Sequence, residues 1–150
     1  TTMESSKKLD TSKSFWVEVE NSHQDTVFTV TGSVPMDSNK VIELHTGYNF
    51  VGSVYPVEVL LQDSELYEDQ VIRGGVGSGE ADIIKDWLGE GYETAWVVDG
   101  TSGPMDGVWM NETGKAETTI SFRPGAGYVI WVKEDMPNKI WTYPNPSIYE

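Results

Sequence analysis

The side chains of this chain that are best suited to chemistry are aromatic and acidic. Six Trp, seven Tyr and four Phe supply large flat rings, and 24 Asp and Glu residues supply carboxylates. An indole can stack on the apolar face of a sugar, while carboxylates and amides bind the hydroxyl groups at its rim. The sequence has no cysteine, which excludes disulfides, a thiolate nucleophile and cysteine-based metal sites.

Motifs for catalysis are weak in this sequence. His23 and His45 are the two histidines, and neither lies in an H-E-x-x-H or a paired-histidine metal spacing. There is no G-x-S-x-G nucleophile elbow. The Gly-rich run 74–79 lacks the Lys-Ser/Thr of a phosphate loop and is followed by Glu80 and Asp82, so we expect a flexible loop.

The charge of the chain limits its partners. With 10 Lys and Arg against 24 Asp and Glu, the formal net charge is −14. Such a balance argues against nucleic acid and against an anionic membrane surface, since both attract basic proteins. The sequence also lacks a run of 18 apolar residues that would predict a transmembrane helix. The charge fits a soluble, self-repelling protein whose ligand is neutral or cationic, and we expect no nucleic acid and no membrane as partner.

Residues 123–133 form the strongest strand signal. Pro124 and two glycines predict a turn, and period-2 alternation follows it. Tyr128, Ile130 and Val132 share one face, which we interpret as a core face. Trp131 then lies on the opposite face, and we expect its indole to meet solvent or a ligand.

The rest of the chain predicts about ten short strands separated by turns, which is typical of an all-β antiparallel β-sandwich or jelly roll. Residues 57–68 fit either a strand or a short helical turn. Residues 1–13 are polar and predict a linker or flexible tail, and residues 14–150 a single domain. We also expect the chain to be an excised part of something larger. The predicted strands are 14–20, 27–34, 41–45, 48–56, 81–88, 92–98, 108–110, 117–122, 128–133 and 139–143.

Trp16 repeats the pattern of Trp131, because Phe15, Val17 and Val19 alternate with it as a second predicted core face. Exposed rings in a row are costly unless they are used. We therefore predict that some of the aromatic residues bind a ligand. The first candidates are Trp131, Trp96 and Trp109, and the further candidates are Trp16, Trp87, Trp141 and Tyr143.

Acidic turns offer a second kind of site. Asp99, Asp106, Asn111 and Glu112 lie in adjoining turns, and oxygen atoms from turns are what Ca²⁺ prefers. We expect Asp99, Asp106 and Asn111 to bind ligand hydroxyl groups, or Asp99 and Asp106 to hold a structural Ca²⁺. No cofactor is required for the predicted function.

The segments TGYNFVGSVYPVEV and PGAGYVIWVKED resemble a recurrent module of secreted bacterial proteins, and the resemblance covers roughly residues 41–143. A Gly-aromatic-Asn strand ends in a Tyr-Pro corner, and a Pro-Gly-x-Gly-Tyr strand follows later. Trp131 stands where this pattern commonly has a polar residue, which favours a specialised surface. The acidic, Trp-rich and cysteine-free character also resembles carbohydrate-binding modules appended to bacterial endoglucanases.

This resemblance implies a non-catalytic, secreted and monomeric domain that is tethered to a glycoside hydrolase. Its partner would be a polysaccharide, namely a plant β-glucan such as cellulose, mixed-linkage glucan or xyloglucan. Two alternatives remain open from the residues themselves. One is a surface or adhesion β-domain that binds protein or spaces other domains, and the other is a small acidic glycosidase, since a catalytic carboxylate pair cannot be singled out among 24.

Overall fold

A computed structural model describes residues 9–10, 12–16, 39–116, 120–134 and 139–145. The described part of the chain contains nine β-strands and one short 3₁₀ helix, and no α-helix. These elements are β1 Asn39–Glu43, β2 Gly47–Gly52, β3 Val59–Leu60, the 3₁₀ helix Leu61–Asp63, β4 Ile83–Trp87, β5 Tyr92–Val97, β6 Trp109–Asn111, β7 Ser121–Phe122, β8 Gly127–Val132 and β9 Ile140–Pro144.

The strands form three antiparallel sheets. The largest has five strands in the order β2-β8-β4-β5-β6, while β1 pairs with β9 and β3 pairs with β7. The predicted all-β, antiparallel class is therefore confirmed. The turn at Gly89 closes the β4–β5 hairpin with a positive φ of 92°, and the Leu88 N–H donates to the Gly91 carbonyl at 2.9 Å.

The stretch 123–133 contributes an interior strand to the five-stranded sheet. Its strand β8 pairs with β2 on one side and with β4 on the other. Tyr128 and Ile130 are fully buried, and Val132 is buried too, so the predicted core face of this strand is confirmed. The Tyr128 hydroxyl donates to the Ser121 carbonyl at 2.5 Å, which ties β8 to β7 beneath the sheet.

Aromatic rings from β7, β8 and β9 pack against one another in the main core. Phe122 contacts Tyr128, Trp141 and Tyr143, with ring centroids 4.9, 5.2 and 5.7 Å apart. The indole of Trp141 donates to the Ser64 carbonyl at 2.8 Å, so its polar atom is satisfied inside the protein. Each fully buried aromatic ring removes roughly 150–250 Å² from water, which makes this cluster a main source of stability.

Several strand boundaries differ from the sequence prediction. The ambiguous segment 57–68 forms the two-residue strand β3 and then the 3₁₀ helix Leu61–Asp63. The predicted strand 48–56, which the sequence indicates is broken or bulged at Gly52, ends at Gly52 as β2. The predicted strand 27–34 and most of 14–20 lie outside the described residues.

The described helices include none that is long and apolar enough to cross a membrane.

The segment 12–16 crosses one end of the five-stranded sheet and is not a strand within it. The Ser14 N–H donates to the Phe50 carbonyl at 3.4 Å, and the Gly52 N–H donates to the Ser12 carbonyl at 3.1 Å. Phe15 is 49% exposed, so its predicted place on a core face is wrong. Ser12, which the sequence placed in the tail, is buried.

Candidate functional site

The five-stranded sheet has an inner face that covers the core and an outer face that turns away from it. In an antiparallel sheet, directly paired residues point to the same side, so the strand register assigns each position to a face. Tyr48 pairs with Trp131, and Lys85 pairs with Val129 and Thr94, all on the outer face. The strand positions of the outer face are Tyr48, Phe50, Gly52, Ile83, Lys85, Trp87, Tyr92, Thr94, Trp96, Met110, Gly127, Val129 and Trp131.

The outer face carries a first pair of rings on β2 and β8. Tyr48 stacks on Trp131 with 5.4 Å between ring centroids and 28° between ring planes. The Lys85 ammonium lies 5.9 Å from the Trp131 centroid. These contacts connect β2, β8 and β4 across the sheet.

A second group of rings continues from Lys85. Its ammonium lies 5.8 Å from the Tyr92 ring, which meets Trp87 with centroids 4.9 Å apart. Trp87 then contacts Trp16 of the crossing segment at 5.9 Å. Lys85 therefore stands between two aromatic groups, and we call the set Tyr48, Trp131, Lys85, Tyr92, Trp87 and Trp16 the ring row.

Most of the ring row is open to solvent. Tyr48 and Trp16 are 60% and 62% exposed, and Trp87 and Tyr92 are each 41% exposed. Trp131 is half-buried because Tyr48 covers part of its indole. Trp131 thus meets solvent as predicted but presents less ring surface than Tyr48 does.

Lys133 flanks the ring row at the end of β8. Its ammonium lies 5.0 Å from the Trp131 centroid and donates to the carbonyls of Ser78 and Gly79. Burial lowers the pKa of Lys133. Two of its three N–H donors are therefore occupied by the Gly-rich loop.

The Gly-rich loop packs closely against neighbouring segments and is held by hydrogen bonds. Asp82 is 1% exposed, and its carboxylate accepts the Arg73 N–H at 2.8 Å and the Lys133 N–H at 2.7 Å. A Cβ on Gly74 would lie 2.5 Å from the Asp99 Cβ, and one on Gly75 would lie 2.7 Å from the Ala81 nitrogen. The glycines allow close packing, which the sequence interpretation as a flexible loop did not foresee.

The charges of the outer face differ from those of the whole chain. Its strand positions include no Asp or Glu, although the chain has 24 of them. Lys85 is the one charged residue among those positions, and it forms no ion pair with any described residue. Carboxylates begin beyond Tyr92, in a depression that Glu90, Glu93 and Glu112 help to line.

Two of the first candidates are covered. Trp96 lies on the outer face, but it is 6% exposed because Ala81, Val98 and Met110 pack around it. Its indole donates to the Asn111 carbonyl at 3.2 Å. Trp109 lies on the inner face and is 7% exposed, as part of the main core. Neither indole is available for stacking on a ligand.

Two further candidates also belong to the core. Trp141 and Tyr143 are 0% exposed and contact each other with ring centroids 4.7 Å apart. Both project inward from β9, which alternates buried and less buried positions. The structure therefore assigns them to packing beneath the five-stranded sheet.

The acidic and amide candidates shape turns. The Thr101 hydroxyl donates to the Asp106 carboxylate at 2.5 Å and is the largest cause of the lowered pKa of Asp106; the N–H groups of Thr101 and Ser102, each at 3.0 Å, lower it further. The Asn111 side-chain oxygen accepts the N–H groups of Thr113 and Lys115. Burial is the largest cause of the raised pKa of Tyr67, and the nearby Asp99 carboxylate raises that pKa further.

The described residues include no group of three or more His, Asp or Glu side chains placed to hold a metal. The structural Ca²⁺ at Asp99 and Asp106 therefore stays a prediction from the sequence. The structure uses the Asp106 carboxylate to close its own turn.

Sequence reasoning missed Tyr48, Tyr92 and Lys85 as site residues. Alternation within β2 places Tyr48 and Phe50 on one face and Val51 on the other, and this signal alone could have selected Tyr48. The position of Lys85 depends on which strands become neighbours, so no local pattern reveals it. Comparison with known proteins adds no assignment, since no family model, curated protein or solved structure matches this chain.

Proposed function

We propose that this chain is a non-catalytic carbohydrate-binding domain that holds a polysaccharide against the outer face of its five-stranded sheet. The observation that carries the proposal is the ring row, in which exposed aromatic rings follow one another across the sheet on both sides of Lys85. As part of this proposal, the three sheets pack as a β-sandwich, with the outer face as one of its external surfaces.

The dimensions of the ring row suit an extended ligand. The row crosses β2, β8, β4 and β5, and three interstrand gaps of about 4.8 Å span roughly 14 Å. Tyr and Trp rings on regular strands are held in place by the sheet, so little conformational freedom is lost on binding. A sugar chain that lies across the strands can stack several of its residues on successive rings.

Binding without catalysis is favoured by the composition of the outer face. A glycosidase needs two carboxyl groups that flank the bond to be cleaved. The strand positions of the outer face offer none, and Asp86, on the inner face of β4, is 3% exposed and forms an ion pair with Arg123. We therefore assign no reaction to the ring row.

The biological role in this proposal is targeting. A tethered domain that binds a polysaccharide raises the local concentration of an attached glycoside hydrolase at its substrate. The proposal includes secretion, a monomeric state and plant β-glucans as the first ligands to test. An adhesion domain that binds protein is the competing role, and the ring row by itself fits both.

Affinity electrophoresis tests this proposal. Native gels would contain hydroxyethylcellulose, barley β-glucan, xylan or polygalacturonate, and we expect retarded migration in at least one of them. The variant Tyr48→Ala/Tyr92→Ala removes one ring on each side of Lys85 and should migrate freely. Leu60→Ala is the matched control, because it removes a 48% exposed apolar side chain from β3, outside the five-stranded sheet.

Three outcomes would overturn the proposal. Unretarded migration in every gel would exclude polysaccharide binding under these conditions and favour the protein-binding role. Retardation that survives the double variant would place the binding surface elsewhere. Release of reducing sugar by the purified domain would show catalysis and replace the assignment as a binding domain.

A further inference from the structure

We infer that the polysaccharide bound by the outer face carries uronic acid residues, whose carboxylate is held by the ammonium group of Lys85. This inference rests on the proposed function and names its ligand class. It departs from the neutral β-glucans that the sequence suggested, because the outer face has a different chemistry from the rest of the surface.

The outer face offers few polar groups at its strand positions. A neutral sugar presents hydroxyl groups, and proteins read them with Asp, Asn, Glu and Gln side chains that both accept and orient hydrogen bonds. The strand positions of the outer face contain none of these four residue types. Lys85 and Thr94 are the polar non-aromatic residues there, and an ammonium only donates hydrogen bonds.

Lys85 lies between two rings of the ring row. Its ammonium lies 5.8 Å from the Tyr92 centroid and 5.9 Å from the Trp131 centroid. If sugar residues stacked on the Tyr92 and Trp131 rings, the groups attached to those sugars in the space between the two rings would lie close to the Lys85 ammonium. A carboxylate on such a sugar would form a charge-assisted hydrogen bond, which is roughly twice as strong as a neutral one.

Among the described residues, the ammonium group of Lys85 has no carboxylate partner and is available to a ligand. Lys133 also lies beside Trp131, but the carbonyls of Ser78 and Gly79 already accept its hydrogen bonds. Lys85 forms no ion pair with any described residue, and no carboxylate shares its face at a strand position. An ammonium placed between rings is attracted to their faces but keeps its donors for a ligand.

The net charge of −14 does not prevent this binding. At physiological ionic strength, charges separated by more than about 8 Å in solvent are largely screened from each other. The charge nearest to the bound sugar therefore decides the contact, and Lys85 is the one charged residue at the strand positions of the outer face. Since the chain as a whole repels polyanions, a preference for an acidic glycan would have to arise locally.

The test compares oligogalacturonate with its fully methyl-esterified form by isothermal titration calorimetry. The two probes share sugar rings and linkages and differ in charge, so the ratio of their affinities isolates the carboxylate. We expect the wild-type protein to bind the acid form about tenfold or more tightly than the ester. Lys85→Met keeps an apolar stem without the charge and should bring the ratio close to one, whereas Lys85→Arg should preserve the preference. Lys139→Met is the matched control, because it removes one positive charge outside the outer face. Its ratio of acid to ester affinity should equal that of the wild-type protein.

The outcomes separate this inference from the proposed function. Equal affinities for acid and ester, or a ratio that Lys85→Met leaves unchanged, would overturn the assignment of a carboxylate to Lys85 while polysaccharide binding stands. Tighter binding of barley β-glucan than of oligogalacturonate would also overturn it. A failure to bind any glycan would overturn both conclusions together.

Discussion

The phenol ring of Tyr48 stacks on the indole of Trp131 across neighbouring strands, with centroids 5.4 Å apart and planes 28° apart. The two residues are paired in the register of β2 and β8. Tyr48 is 60% exposed and covers part of Trp131, which is half-buried. Within the proposed function, we therefore predict that Trp131 supports the pair and that Tyr48 is the ring that contacts the polysaccharide.

Tyr48→Ala should weaken polysaccharide binding more than it weakens folding. By analogy with stacking on nucleic acid bases, loss of one ring costs roughly 1–3 kcal/mol, or about 5- to 160-fold in affinity. The free energy of unfolding should fall by about 0.5–1.5 kcal/mol, since one ring pair is lost at an exposed site. Calorimetric titration and urea unfolding measure the two effects, with Leu60→Ala as control. Wild-type affinity in Tyr48→Ala would contradict the division of roles.

Gly127 is where the segment 12–16 crosses the sheet. A Cβ at position 127 would lie 2.5 Å from the Ser14 Cβ, a distance that forces the segment to move. Gly127→Ala should therefore destabilise the protein, by at most the roughly 1–3 kcal/mol that overpacking costs in a core, because Gly127 is exposed and the segment can move away. Gly91→Ala is the control, because a Cβ there meets nothing within 4 Å.

Urea unfolding measures the loss of stability, and limited proteolysis reports release of the N-terminal segment. Trp16 reaches Trp87 from this segment, so its displacement should also lower polysaccharide affinity. If Gly127→Ala and Gly91→Ala were equally stable and equally resistant to protease, the crossing segment would contribute nothing to the folded domain.

Asp82 holds two segments together with one carboxylate. It accepts the N–H groups of Arg73 and Lys133, and it is 1% exposed. Asp82→Ala should leave both donors without their partner, at a cost of about 1–3 kcal/mol each. Asp82→Asn keeps one acceptor oxygen and should lose about half as much stability. Equal stabilities of the Ala and Asn variants in urea unfolding would show that these hydrogen bonds are not what fixes Asp82.

The core of the five-stranded sheet was predictable because alternation within one strand is a local property. Tyr128, Ile130 and Val132 follow period 2, and a strand places such residues on one side whatever its neighbours are. The same reasoning failed at Phe15, because the segment 12–16 passes over the end of the sheet without joining it. Alternation gives the two faces of a strand only when the segment is a strand.

The site was less predictable, because it depends on the order of the strands and on which side chains pack over the outer face. Trp96 and Trp131 both point to the outer face, but Ala81, Val98 and Met110 bury Trp96, whereas Tyr48 covers Trp131 only in part. Lys85 reaches Tyr92 and Trp131 because β4 lies between β8 and β5. A single sequence does not state which strands are neighbours, so the ring row could not be assembled from it.

Asp86 lies buried on the inner face of β4, where its carboxylate forms an ion pair with Arg123. Burial is the largest cause of a raised pKa for Asp86, and the Arg123 guanidinium opposes this rise without cancelling it. A raised pKa in the folded protein means that protonation of Asp86 favours folding. Its contribution to stability is therefore fully present below the unfolded-state pKa of about 3.9 and is lost as pH rises through the folded-state value.

Asp86→Asn removes this titration, so comparing it with the wild-type protein tests whether the pKa of Asp86 is raised or lowered by folding. As the pH falls from about 7 to about 4, the wild-type protein should gain stability relative to Asp86→Asn, because only the wild-type carboxylate becomes protonated and sheds its burial cost. Urea unfolding of both proteins at several pH values measures this difference, and Glu90→Gln controls for the loss of an exposed carboxylate. If the wild-type protein instead lost stability relative to Asp86→Asn on acidification, attraction to Arg123 would outweigh burial, and the pKa of Asp86 would be lowered in the folded state.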